Sequence, residues 1–167
     1  PLIVLSEQQQ SYRFPVGSAK ISDSFQEALD EEIIPMLEAE SERCNCDAIE
    51  VIGHTDSLPV DSGRSNLDEE LIAAFGQEEH KNLVPGSNLD LGMMRALSIV
   101  SYLKQAQEKG RLEEIEYFLP YSASQMLNPN YNLDTSAETT DNKRRRRIEM
   151  RLLQSSAWKQ QLDENDR

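Results

Sequence analysis

A stripe of apolar residues at helical spacing, Leu89, Met93, Ala96, Leu97, Val100 and Leu103, lies between two short strand-like runs at 48–53 and 114–119. A helix joining two strands is the connection that parallel pairing requires, because a tight turn can only return a chain antiparallel. This pattern constrains the chain to an α/β architecture with a partly parallel sheet. Asn88 opens the helix and Gly110 marks its stop, since glycine takes the left-handed conformation that ends helices without penalty.

Further elements flank this unit. Residues 2–5, Leu-Ile-Val-Leu, form an apolar run, and Tyr12, Phe14 and Val16 then alternate with other residues up to Gly17, which predicts extended chain. Ser22 or Asp23 caps a second helix, whose buried stripe is Phe25, Ala28, Leu29, Ile33, Met36 and Leu37. Pro35 falls inside that stripe and is predicted to kink or split it. Residues 146–153 alternate as a last strand, with Ile148, Met150 and Leu152 on one face. A loop rich in Ser, Asn, Thr and Asp at 122–142 leads into it, so antiparallel pairing is expected there. Residues 154–167 are a polar tail with the lone Trp158.

The segment 57–87 has a different character. It is rich in Gly, Pro and acidic residues, and only Leu67, Leu71, Ile72, Ala73, Ala74 and Phe75 offer surface to pack. It reads as an insertion with one short helix around 67–75, and as a surface ornament or a docking arm.

Charge excludes several functions. Seventeen Lys and Arg stand against 30 Asp and Glu over 167 residues, a formal net charge of −13. Binding to nucleic acid or to an anionic membrane needs a net basic surface. The basic run Lys143 to Arg147 enters a strand, so its side chains alternate between faces and only about half can act together. No apolar run is long enough to span a bilayer. The chain begins at Pro1 rather than Met, and is expected to be a piece of a longer protein. Cys44 and Cys46 are too few for a structural zinc site and are expected as two free thiols.

The chemistry gathers around Asp56. It follows the strand 48–53 directly, at the carboxyl end, where open α/β sheets hold ligands. Asn88, Leu91 and Arg95 share one face at the N-terminal half of the following helix, where the helix dipole and free N–H groups favour a carboxylate. Two readings follow from spacing. Asp56 and Arg95 together grip a zwitterion, or they pair with each other and Asn88 is only a helix cap. His54 shares a face with Asp56, but no glycine-framed serine and no further ligands accompany it. It is expected to be a structural histidine bonded to the backbone. No catalysis, cofactor or metal is called for.

Four strings in order carry a resemblance. Ile49-Glu50-Val51-Ile52-Gly53-His54-Thr55-Asp56 resembles the "I-x-I-x-G-H-T-D" core of the OmpA-like C-terminal domain, also called the OmpA/MotB domain. Asn88 to Ala96 resembles its "N-x-x-L-S-x-x-R-A" helix, Arg146-Arg147-Ile148-Glu149-Met150 its "R-R-V-E-I" strand, and Phe14 to Ala19 the "F-x-x-G-S-A" of its motor-stator branch. Gly92 departs from the usual Ser, and Arg145 from the Asn or Asp that precedes the "R-R" pair. The resemblance covers roughly residues 2–153, leaving 154–167 as a tail.

The resemblance implies an α/β two-layer sandwich with a mixed four-stranded sheet and helices on one face. It implies non-covalent peptidoglycan binding on the periplasmic side of a bacterial envelope, with an upstream membrane-anchored part. Asp56 would hold the amino group of diaminopimelate in the stem peptide and Arg95 its carboxylate. Asn88, Leu91 and Arg146 would complete the pocket. The alternatives are the wall anchor of an ion-driven stator complex, and a homodimerisation module with a decayed pocket.

Overall fold

A computed structural model describes residues 1–60, 63–74, 82–134 and 141–165. Strand β1 (Leu2–Ser6) is followed by a 3-10 turn at Gln10–Tyr12. Helices α1 (Asp23–Ala28) and α2 (Ile34–Cys44) are joined by a π-helical turn at Leu29–Ile33. Strand β2 (Ala48–His54), helix α3 (Leu67–Ala74) and helix α4 (Asn88–Glu108) follow. Strands β3 (Tyr117–Ser124) and β4 (Arg147–Leu153) and helix α5 (Ser156–Asn165) complete the described elements.

The sheet order is β1-β4-β2-β3. β2 and β3 pair parallel across α4, while β4 runs antiparallel to both β1 and β2. The mixed four-stranded sheet and its helices are thus as the sequence pattern required. Ile49 and Val51 of β2 and Ile148, Met150 and Leu152 of β4 meet Phe25, Leu29, Leu37, Ile99, Val100 and Leu103 from the helices in one buried core. The alternation of strand side chains sends Glu149 and Arg151 to the opposite face.

Pro35 neither breaks nor merely bends its helix. The π turn absorbs the missing N–H just upstream, and Pro35 sits in the first turn of α2, where no intrahelical donor is needed.

The boundaries of β3 differ from the predicted 114–119. The chain first turns at Leu112 and Ile115, both buried, and only then pairs. The strand runs through Pro120 to Ser124, because β3 is an edge strand and tolerates a residue without an N–H.

The cysteines also differ from expectation. Cys44 and Cys46 form a disulfide, with their Cα atoms 5.2 Å apart. Asn45 between them adopts the left-handed conformation at the end of α2, with φ 51°, and this folds the pair back on itself.

In the 57–87 segment, α3 buries Leu67 against Ala19, Leu83 and Met94. Asn66 clasps the returning chain, donating to Asn82 O at 2.6 Å and accepting from Val84 N–H at 2.7 Å. Ile72 is exposed rather than packed. Phe75, Gly76 and His80 lie outside the described residues. The tail carries α5, whose Trp158 packs edge-on against Tyr117 at 5.8 Å.

Candidate functional site

β2 delivers Asp56 into a buried polar cluster at its carboxyl end. Its Oδ1 accepts from Leu58 N–H at 3.2 Å, an Asx turn that fixes the chain leaving the strand. Its Oδ2 accepts from Asn142 N–H at 3.2 Å and from Arg146 Nη1. Asn88, the first residue of α4, donates from Nδ2 to Leu58 O at 2.8 Å and so ties the same loop to the helix. The helix cap is Ser87, whose hydroxyl accepts from Asp90 N–H, so Asn88 is not the cap that spacing allowed. Leu91 is buried one turn further on.

Arg95 lies two turns into α4 with its side chain only 3% exposed. Its Nε donates to Ser18 O at 3.1 Å, and its guanidinium sits 5.0 Å from the centre of the Phe14 ring. Asp56 and Arg95 do not form the direct pair that spacing allowed. Each has a different partner. Arg146 pairs with Asp56, with Asp141 and, through Nε at 2.6 Å, with Glu7 Oε2. Glu7 Oε1 lies 3.8 Å from Arg95 Nη1. The cluster therefore chains Asp56, Arg146, Glu7 and Arg95, with Asp141 at its outer edge. Arg146 sits at the junction of β1, β2 and β4, because Glu7 N–H bonds its carbonyl as the sheet ladder ends.

Electrostatics reflect this arrangement. Burial pushes the Arg95 pKa down, Glu7 opposes that shift, and the neighbouring Arg146 charge reinforces it. Burial also disfavours charged Arg146, but its bonds to Asp141, Glu7 and Asp56 outweigh this and raise its pKa.

Behind the cluster, His54 is fully buried with Nε2 3.2 Å from Glu149 Oε1. It faces a carboxylate rather than the expected backbone group, because β4 places Glu149 on the same face of the sheet. Arg147 Nε bonds the same Glu149 oxygen at 2.9 Å. Arg145 pairs with Asp134. Three arginines of the basic run are thus engaged inside the protein, which leaves no nucleic-acid patch from them.

Sequence reasoning missed Glu7 and Asp141. Glu7 had a signal: it is the sole acidic residue before Asp23, and it follows the first strand directly. Among the described residues, no cluster of His, Cys, Asp or Glu is suited to a metal, and no helix is long and apolar enough to cross a membrane.

A mixed four-stranded sheet backed by helices, with a charged cluster at the strand ends, defines an α/β two-layer sandwich. The same fold occurs in MotB-like periplasmic domains. The periplasmic domain of Helicobacter pylori MotB matches with a TM-score of 0.53 and 16% identity, over 98% of this chain and 85% of that one. A MotB-like protein from Desulfovibrio vulgaris matches with a TM-score of 0.50 and 15% identity, over 92% of this chain and 74% of that one. No protein-family model and no curated protein sequence matches the chain.

Proposed function

We propose that this chain is a binding module, without turnover, that holds a cell-envelope protein to peptidoglycan on the periplasmic side. The observation that carries this reading is the meeting of Asp56 and Arg95 in one buried cluster at the end of β2, on a fold shared with MotB periplasmic domains. Buried groups of both signs in one cluster suit a zwitterion such as the diaminopimelate of a stem peptide. Asp56 belongs to the acidic wall and Arg95 to the basic wall, with Asn88, Leu91 and Arg146 completing the pocket. Each charge-assisted bond contributes about 1.5–3 kcal/mol, so a single fragment binds modestly and firm anchoring comes from many copies on a polymer. The MotB neighbours favour the stator form of this reading, in which an upstream membrane part drives a motor and this module grips the wall.

Co-sedimentation with purified insoluble peptidoglycan tests it. Wild type is expected in the pellet, and a folded Asp56→Ala, Arg95→Ala double variant in the supernatant. Arg95→Lys keeps the charge but loses the planar fork, and should bind less than wild type. A folded double variant that pellets like wild type overturns the reading.

One observation favours a second reading, a dimerisation module. Arg95 and Glu7 side chains are only 3% and 5% exposed, and the cluster satisfies much of its own charge. A wild type that stays soluble beside peptidoglycan but dimerises with concentration would select it.

A further inference from the structure

At the opposite end of β2 from Asp56, the Cys44–Cys46 bridge lies beside an open groove of about 540 Å³ between the end of α2, β4 and α5. Cys44 is half-buried, whereas Cys46 is only 5% exposed, so Cys44 Sγ is the sulfur within reach of a reagent. Leu153, Gln154, Ala157 and Trp158 line the groove, and none of its lining residues is charged. The lining therefore sets no carboxylate against an incoming thiolate. The turn that holds the two sulfurs does not depend on the bridge. Asn45 N–H donates to Glu42 O at 3.2 Å, Cys46 N–H to Ser41 O at 2.9 Å, and Gln154 Nε2 to Cys44 O at 2.7 Å. Cys44 Sγ stands 3.8 Å from Ser41 O, and Cys46 Sγ stands 3.7 Å from Cys44 O. Each thiol of a reduced pair thus has a carbonyl to donate to. Closing a one-residue loop stabilises the fold little, and by the same thermodynamic cycle the fold stabilises the bridge little. Structural bridges resist reduction because the fold holds them, and this one lacks that protection.

We propose that Cys44–Cys46 is a thiol–disulfide exchange site, separate from the charged cluster, whose co-reactant is a dithiol. One thiolate of the dithiol enters along the groove and attacks Cys44 Sγ. A new S–S bond forms to Cys44 as the Cys44–Cys46 bond breaks, and the Cys46 thiolate leaves and takes a proton from water. The second thiolate of the dithiol then attacks the dithiol's own sulfur in the mixed disulfide. The dithiol closes into a disulfide, and the Cys44 thiolate is released and protonated. Two electrons and two protons pass from the dithiol to the protein, and the reverse sequence returns them to a disulfide. The negative end of α2 favours the neutral thiols, so the reduced pair rests hydrogen-bonded to its carbonyls. The left-handed Asn45 keeps the two sulfurs facing each other for reclosure.

The test reduces the oxidised wild-type chain with dithiothreitol, in buffer and in urea, and follows the free thiols by alkylation and mass spectrometry while circular dichroism reports the fold. The folded protein should be reduced within about tenfold of the rate in urea, with its dichroism unchanged. A bridge that opens only through global unfolding would react at least about a thousandfold more slowly in buffer, and that result overturns the proposal. Loss of the dichroism on reduction also overturns it, because the pair would then be a structural staple. Two single variants test which sulfur is attacked. With glutathione disulfide as the probe, Cys46→Ser should gain one glutathione on Cys44, while folded Cys44→Ser should leave Cys46 unmodified. Equal labelling of the two variants overturns the assignment of Cys44 as the entry sulfur. A groove-filling Ala157→Trp variant should slow reduction of the folded chain and leave the rate in urea unchanged. An unchanged rate in buffer for that variant, folded as judged by dichroism, overturns the groove as the route.

Discussion

Gly53 of β2 and Gly92 of α4 meet backbone to backbone. A Cβ on Gly53 would lie 2.7 Å from the carbonyl carbon of Gly92, and one on Gly92 would lie 2.9 Å from Gly53 O and run into Ser122 Oγ. The Ser122 hydroxyl donates to Leu89 O at 2.7 Å and fills the remaining space. Gly92, where the OmpA-like pattern carries Ser, is thus matched to Ser122 on the adjacent strand. Because the obstruction at Gly53 is backbone, no side-chain movement relieves it. Gly53→Ala should cost about 1–3 kcal/mol, read as a lower midpoint in urea unfolding. An unchanged midpoint would show that α4 can retreat from the sheet without loss.

Arg146 is the common partner of Glu7, Asp56 and Asp141. Arg146→Ala would leave the buried Asp56 carboxylate without its cation, and Glu7 with only Arg95, 3.8 Å away. The expected loss is about 3 kcal/mol at neutral pH, measured by denaturant unfolding. A loss within a few tenths of a kcal/mol would mean that water or a rearranged Arg95 replaces it.

Glu149 predicts acid sensitivity. Burial disfavours its charge, but His54 first and then Arg147 outweigh burial and lower its pKa from 4.5 to about 2. A carboxylate with a depressed folded-state pKa stabilises fully above its unfolded pKa and loses that contribution as pH falls. The contribution should therefore be complete above pH 4.5 and disappear as pH falls toward about 2. Glu149→Gln should lower stability at pH 7 and flatten the dependence below pH 5. Parallel acid-unfolding curves for the two proteins would contradict this.

The Cys44–Cys46 disulfide encloses a single residue. Closing so short a loop restricts the unfolded chain little, so its entropic contribution should be below about 2 kcal/mol. A Cys44→Ser, Cys46→Ser variant should remain folded, with a melting temperature only a few degrees lower. Global unfolding of that variant would give the bridge a larger structural role than loop closure allows.

The sequence by itself determined the elements whose signal is local. The apolar stripe of α4, the alternation of β4 and the β-branched run of β2 each state their own period, and a helix between two strands is the crossover that the parallel pairing of β2 and β3 needs. Asp56 and Arg95 were legible for the same reason, since one ends a strand and the other lies on a definable helix face. Only the tertiary structure decided what they touch. Glu7 and Arg146 are 139 residues apart, and Asp56 and Arg146 are 90 apart. Their pairing depends on β4 inserting between β1 and β2, which no local period records. The true start of β3 depends on where buried Leu112 and Ile115 anchor the turn, and the Cys44–Cys46 bond on the left-handed Asn45. Periodicity reports which face of an element is buried. Which charge meets which follows from the sheet order, and that is settled by packing across the whole chain.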